Sequence, residues 1–101
     1  MGGRYIIGIT GASGSLYGEK VIRRLLAAGC EVHVCITQAG QLVTREELPW
    51  SWPDGAAPEA IQAALRDWFG CGGELVFHDI HAVGASIASG SFRTDGMAVV
   101  P

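Results

Sequence analysis

Clustered basic residues are missing from this sequence. Its 7 Lys and Arg stand against 10 Asp and Glu, for a formal charge of −3. A nucleic acid or an anionic membrane surface needs a concentrated basic patch, so neither partner is expected. Long apolar runs are missing too: none approaches the roughly 20 residues that span a bilayer. The amino-terminal "MGGRYIIGIT" carries one Arg and passes directly into a strand pattern, unlike a signal peptide. There is no CxxC pair. Cys30, Cys35 and Cys71 are odd in number and read as buried thiols of a reduced, cytoplasmic protein, not as a disulfide framework or zinc site. His78 and His81 form HxxH, but no third ligand lies nearby and nothing places the pair on one helix, so no metal is expected. Internal repeats, low-complexity tracts and linkers are absent.

Alternating apolar segments and glycine turns remain. Arg4–Thr10 (RYIIGIT) is a β-branched run that predicts a buried strand. Ser15–Ala28 predicts a helix with Leu16, Val21, Ile22, Leu25 and Leu26 on its apolar face. Its Glu19, Lys20, Arg23 and Arg24 form the polar face, with Glu19–Arg23 an ordinary surface pair and Gly29 the C′ stop. Glu31–Thr37 reads as a second strand and Gln38–Glu47 as a second helix. "LPWSWPDGAAP" is a loop in which Trp50 and Trp52 read as anchors at an oligomer contact. A third helix starts at Pro58 and carries Ile61, Leu65, Trp68 and Phe69 up to Gly70. Leu75–His78 is a short strand, "GASIASGSFRTDG" a small-residue loop with Asp95-Gly96 as its closing turn, and Met97–Pro101 a further strand.

Strand and helix alternate, so the expected class is α/β with a doubly wound parallel sheet. Such sheets bind ligands beyond the carboxyl ends of their strands. Only about four strands are visible, a thin sheet for this architecture. The expectation is that residues 1–101 are the amino-terminal part of a longer single domain.

Gly11-Ala12-Ser13-Gly14 joins the first strand to the first helix. Small side chains admit a ligand to the backbone, the helix start favours an anion, and Ser13 adds a hydroxyl donor. A tight turn that holds nothing remains the alternative. Gly8, Gly11 and Gly14 do not reproduce GxGxxG; a GxxGxxG count from Gly11 meets Tyr17, with Gly18 one place late, and a count from Gly8 fits but places the first glycine inside the strand. A dinucleotide site also wants an acid at the end of the second strand, and that strand ends "VCITQAG". A mononucleotide has no second ribose to hold, and FMN suits the turn better.

With "GITGASGSLYG", "VHVCITQAGQLV" and "ASIASGSFRTDGM" in order, the chain resembles the first half of UbiX-type flavin prenyltransferases, a family with a flavodoxin- or Rossmann-like fold. The resemblance covers nearly the whole chain, apart from the stretch around Leu48 to Gly73. It implies a homo-oligomer and a metal-independent reaction. In that reaction a dimethylallyl group passes from dimethylallyl monophosphate to N5 and C6 of reduced FMN, and the prenylated FMN is supplied to a UbiD-type decarboxylase. It implies FMN contacts at Gly11, Ala12, Ser13 and Thr37, and catalytic roles for Ser13 and for Glu47, with Glu46 as the neighbouring register. Ser89, Gly90 and Ser91 are implied to line the pocket for flavin and prenyl phosphate. The family's later CS-containing loop, its Arg- and Lys-rich phosphate clamp, a further Glu and a Tyr are not among these residues. The 101 residues therefore carry at most half a site, and an inactive chain that binds at most FMN is one alternative. An FMN-dependent cysteine decarboxylase is a second. A nicotinamide-dependent reductase, suggested by "TGASG", is a third, although its Tyr-x-x-x-Lys pair is missing.

Overall fold

The computed structural model describes residues 3–10, 15–37, 40–41, 56–70, 73–78 and 94–100, without the side chains of residues 15 and 100. Four strands, β1 (Arg4–Ile9), β2 (Glu31–Ile36), β3 (Glu74–His78) and β4 (Gly96–Val100), form one sheet ordered β3-β2-β1-β4. Every neighbouring pair is parallel. Helix α1 (Ser15–Ala27) joins β1 to β2, and α2 (Pro58–Phe69) precedes β3. The expected α/β class with a doubly wound parallel sheet is what the chain forms.

Side chains alternate across the pleat, which divides the sheet into two unlike faces. Ile7 and Ile9, Val32, Val34 and Ile36, and Leu75 and Phe77 share the face on which both helices lie. Ile22 and Leu26 from α1 and Ile61, Leu65 and Phe69 from α2 close the core over them. Two successive crossovers on one face carry the chain from β1 to β2 to β3. β4 then returns to the far side of β1, so the strand order reverses between β1 and β4.

Local chemistry sets the helix ends. Gly29 and Gly70 are the two described glycines with positive φ, 82° and 54°, the left-handed conformation that ends a helix. The Gly70 N–H returns to the Arg66 carbonyl at 2.9 Å. Pro58 occupies the first turn of α2, where its missing N–H costs no helical bond. Asp95 closes the turn into β4: its carboxylate accepts the Arg4 N–H at 2.7 Å, and its own N–H donates to the Arg4 carbonyl at 2.7 Å.

Two expectations need correction. Leu16 is 55% exposed, whereas Glu19, assigned to the solvent face, is 7% exposed. Glu19 precedes Ile22 by three residues and Leu26 by seven, which places it on the buried stripe. Arg23 donates to its Oε2 from Nε at 3.0 Å and from Nη2 at 2.5 Å, and Trp68 Nε1 donates at 3.1 Å. A buried carboxylate is tolerated when it is paired and hydrogen-bonded in this way. Trp68, expected in the apolar stripe of α2, is accordingly 38% exposed, with its indole spanning the seam to α1. Arg23 also lies 5.9 Å from the Trp68 ring and 5.2 Å from the Phe69 ring. The predicted second helix is represented by Gly40 and Gln41, both helical; Trp50, Trp52 and the rest of that stretch lie outside the described residues.

Candidate functional site

The reversal between β1 and β4 directs attention to the carboxyl ends of these strands. Thr37, read as the last residue of the second strand, instead leaves the strand and ties three segments together. Its N–H donates to the Ile9 carbonyl at 3.0 Å, extending the β1–β2 ladder by one bond. Its hydroxyl donates to the Thr10 carbonyl at 3.1 Å and accepts the Gly40 N–H at 3.0 Å. The i to i+3 contact is the bond of a helix N-cap, and Gln41 N–H returns to the Thr37 carbonyl at 2.8 Å. The hydroxyl proton is committed to Thr10, so toward a ligand Thr37 presents an oxygen lone pair.

Gly40 makes this arrangement possible. A Cβ there would lie 2.8 Å from the Ile9 carbonyl oxygen, 3.0 Å from Ile36 Cγ2 and 3.1 Å from Thr37 Oγ1. The helix start is therefore pressed onto the ends of both strands. This residue carried no distinguishing signal in the sequence beyond being one glycine among 15. Of the residues expected to form the site, Thr37 alone is described. Gly11, Ala12, Ser13, Glu47, Ser89, Gly90 and Ser91 lie outside the described residues.

A second polar constellation occupies the sheet face opposite the core helices. Glu31 pairs with Arg4 at 2.8 Å and with His33 Nε2. His33 Nδ1 lies 2.7 Å from His78 Nε2, and the two rings stack with centroids 4.9 Å apart. With the Glu31 carboxylate accepting at Nε2, a neutral His33 offers Nδ1 as the acceptor for the His78 Nε2–H. Among the described residues no group of three His, Cys, Asp or Glu could hold a metal ion. A cavity of about 300 Å³, lined by Leu26, Arg66, Phe69, Glu74 and neighbouring residues, lies at the amino end of β3, away from Thr37.

Burial lowers the His78 pKa from its ordinary 6.5, and the neighbouring His33 charge adds to this. The His33 hydrogen bond lowers that of Glu31 from 4.5, against opposing desolvation and with help from the Arg4 charge. Both shifts have the same consequence on acidification. A histidine with a depressed folded pKa leaves the unfolded chain binding more protons, so stability falls as pH drops through about 6.5. The Glu31 contribution is retained above 4.5 and lost at lower pH. Urea midpoints should fall between pH 7.5 and 5.5, and His78→Gln, which keeps an N–H donor, should flatten that part of the profile. An unchanged profile in the variant contradicts the assignment.

The comparisons with known proteins agree with this geometry. The profile of the family described as Flavoprotein matches residues 2–101. Flavin prenyltransferase UbiX of Alkalihalophilus pseudofirmus is 41% identical over 96 residues, which cover 94% of this chain and 45% of the relative. The Escherichia coli K12 protein of the same name is 35% identical over 99 residues, covering 97% and 44%. The crystal structure of AnUbiX in complex with FMN and dimethylallyl pyrophosphate superposes with a TM-score of 0.68 at 27% identity, covering all of this chain and 46% of that one. A dodecameric FMN-dependent Ubix-like decarboxylase from Escherichia coli O157:H7 gives the same TM-score and identity, covering 97% and 45%. The chain thus spans about half the length of the relatives it matches. With a parallel sheet reversing at β1 and β4 and a family profile matched from residue 2 to the end, this chain belongs to the Flavoprotein family.

Proposed function

We propose that these residues form the FMN-holding part of a flavin prenyltransferase, whose product serves a UbiD-type decarboxylase. The observation that carries the reading is the Thr37 junction. It ties the end of β2 to the end of β1 and to the helix start at Gly40, and presents a hydroxyl where a dinucleotide site would carry an acid. A mononucleotide, with no second ribose to hold, has no need of that acid. FMN, when bound, supplies the nucleophilic flavin ring that accepts the dimethylallyl group. In the overall reaction on reduced FMN, the dimethylallyl carbon–oxygen bond would be exchanged for bonds to N5 and C6: each of those ring positions would give up a proton, the prenyl double bond would take one up, and inorganic phosphate would leave.

In this reading Gly11, Ala12 and Ser13 hold the FMN phosphate with backbone N–H groups and the Ser13 hydroxyl, aided by the start of α1. Thr37 accepts a hydrogen bond through its remaining lone pair. Ser89, Gly90 and Ser91 hold the prenyl phosphate, and Ser13 and Glu47 orient the reacting groups and manage the proton at the flavin edge. The solved neighbour holds the pyrophosphate of the same alcohol, so the donor class is a dimethylallyl phosphate ester, with the monophosphate as our choice. Assembly as a homo-oligomer and a cytoplasmic setting, where the buried thiols Cys30 and Cys35 stay reduced, complete the proposal.

The test is a chimera in which residues 1–101 replace the matched 96-residue stretch of the Alkalihalophilus pseudofirmus relative. It should consume dimethylallyl monophosphate only with reduced FMN and change the flavin spectrum. Glu47→Gln should lower the rate by about 10²-fold, the scale of a proton-transfer residue. A folded, FMN-loaded chimera that leaves the flavin spectrum unchanged contradicts the reading. Release of carbon dioxide from a cysteine-containing substrate would instead favour a decarboxylase, the term used for one solved neighbour.

A further inference from the structure

Three strands contribute to one polar column on the sheet face opposite the core helices. Arg4 on β1 pairs with Glu31 on β2, Glu31 with His33, and His33 with His78, the last residue of β3. The column runs from the amino edge of the sheet to its carboxyl edge, where such sheets bind ligands. Its proton arrangement is fixed from one end. An ionised carboxylate only accepts, so His33 Nε2 must carry a hydrogen. In the neutral ring Nδ1 is then the acceptor, and His78 Nε2, 2.7 Å away, must be the donor. Both rings are therefore Nε2–H tautomers, and His78 Nδ1 is the remaining basic nitrogen of the pair.

A first added proton enters at His78 Nδ1 and leaves every bond of the column in place. A second can go only to His33 Nδ1, where it sets two N–H donors against each other across the 2.7 Å contact. Burial of His78 and the charge on His33 both act against such a doubly protonated pair. The other ionisable groups on this face, among the described residues, are Arg4 on β1, Glu31 and Cys35 on β2, and Glu74 on β3. Met97 and Val99 of β4 add no charge. Glu31 stays ionised while the rings titrate, because the His33 hydrogen bond and the Arg4 charge hold its pKa below the ordinary 4.5.

We propose that Glu31, His33 and His78 form a proton-operated latch that ties the carboxyl end of β3 to β2 and opens on the second added proton. The backbone supplies a reporter of its opening. The Phe77 N–H is turned outward to Gln62 Oε1 at 2.9 Å, and the Leu75 carbonyl to Arg66 Nε at 2.8 Å. By alternation the Val76 and His78 N–H groups are turned toward β2, so their exchange reads the β2–β3 pairing. Leu75 and Phe77 remain anchored in the core from the other face, so opening centres on His78. The latch operates whether or not a flavin is bound.

NMR of the 101-residue chain with isotope-labelled histidine rings, between about pH 8 and about pH 5, tests this. At the alkaline end His33 and His78 should both be Nε2–H tautomers, and on acidification they should titrate in two coupled steps. Protection of the His78 amide, relative to the unfolded-chain exchange rate, should hold through the first step and fall at least about tenfold through the second. In His78→Gln the amide offers an N–H to neutral His33 and, turned over, its carbonyl to protonated His33. Protection at residue 78 should then change by less than about twofold over the same range. Glu74→Gln, on the same face but outside the column, should behave as the parent chain. An Nδ1–H tautomer at either ring, independent titration of the two rings, or an equal loss of protection in His78→Gln overturns the proposal.

Discussion

Gly73→Ala should destabilise the protein by about 1–3 kcal/mol or more. A Cβ at this position would lie 2.5 Å from the Cys30 carbonyl oxygen and 2.8 Å from both the Cα and the carbonyl oxygen of Leu26. All three contacts are backbone, so no side-chain rotation relieves them. The segment entering β3 passes over the turn between α1 and β2, where the Glu74 N–H donates to the Cys30 carbonyl at 3.1 Å. Moving it outward breaks that bond and lifts Leu75, 3% exposed, from the core. Overpacking of this kind costs about 1–3 kcal/mol or more, a large share of the roughly 5–15 kcal/mol that holds a domain together. Urea unfolding followed by tryptophan fluorescence measures the loss. A change below about 0.5 kcal/mol, the scale of a neutral surface substitution, contradicts the packing described at this crossing.

Gly40→Val should act at the other end of the sheet and damage binding as well as stability. Its branches would be forced against the Ile9 carbonyl oxygen and Ile36 Cγ2, and the helix start has to move away from both strands. That movement breaks the Gly40 N–H bond to the Thr37 hydroxyl. Loss of an N-cap costs about 0.5–2 kcal/mol, and the overpacking adds about 1–3 kcal/mol. Affinity for FMN should fall at least about tenfold, since the proposed FMN contacts need Thr37 and the ends of β1 and β2 to stay in place. Thr37→Val provides the comparison: it removes the cap while leaving space, so its stability loss should be smaller. Equal FMN affinity in Gly40→Val and the parent chain would separate this junction from the binding site.

Elements governed by nearest neighbours were legible before any coordinates. Gly29 and Gly70 stop the two helices, Pro58 opens the second, and the four apolar runs become the four strands within one residue at each end. Contacts between distant segments were not legible. Apolarity alone placed Leu16 in the core and Glu19 in water. The reverse occurs because Glu19 sits in line with Ile22 and Leu26 and receives the Trp68 indole from 49 residues away. His33 attracts no notice in an apolar strand until His78, 45 residues on, supplies its partner. Thr37 belongs to the strand by its β-branched side chain, but its hydroxyl caps the following turn and ends the strand there. The finished β3 edge depends on Gln62 and Arg66, which read in sequence as the polar side of an ordinary helix.

The sequence suggested a type of site. Strand, glycine turn and helix in that order, together with the hydroxyl at the end of β2, led to the expectation of a mononucleotide and not a dinucleotide; of the residues behind that expectation, Thr37 is described and residues 11–14 are not. The reversal at β1 and β4 adds what the sequence lacked, a reason for the ligand to lie over those strand ends.

The central claim is that the carboxyl ends of β1 and β2 hold the phosphate of FMN and not a nicotinamide dinucleotide. The direct measurement is an FMN titration of the 101-residue chain, followed by flavin fluorescence with NADPH as competitor. Saturable quenching that NADPH does not reverse is the predicted result. NADPH binding that displaces FMN, or NADPH binding with no flavin quenching, contradicts it.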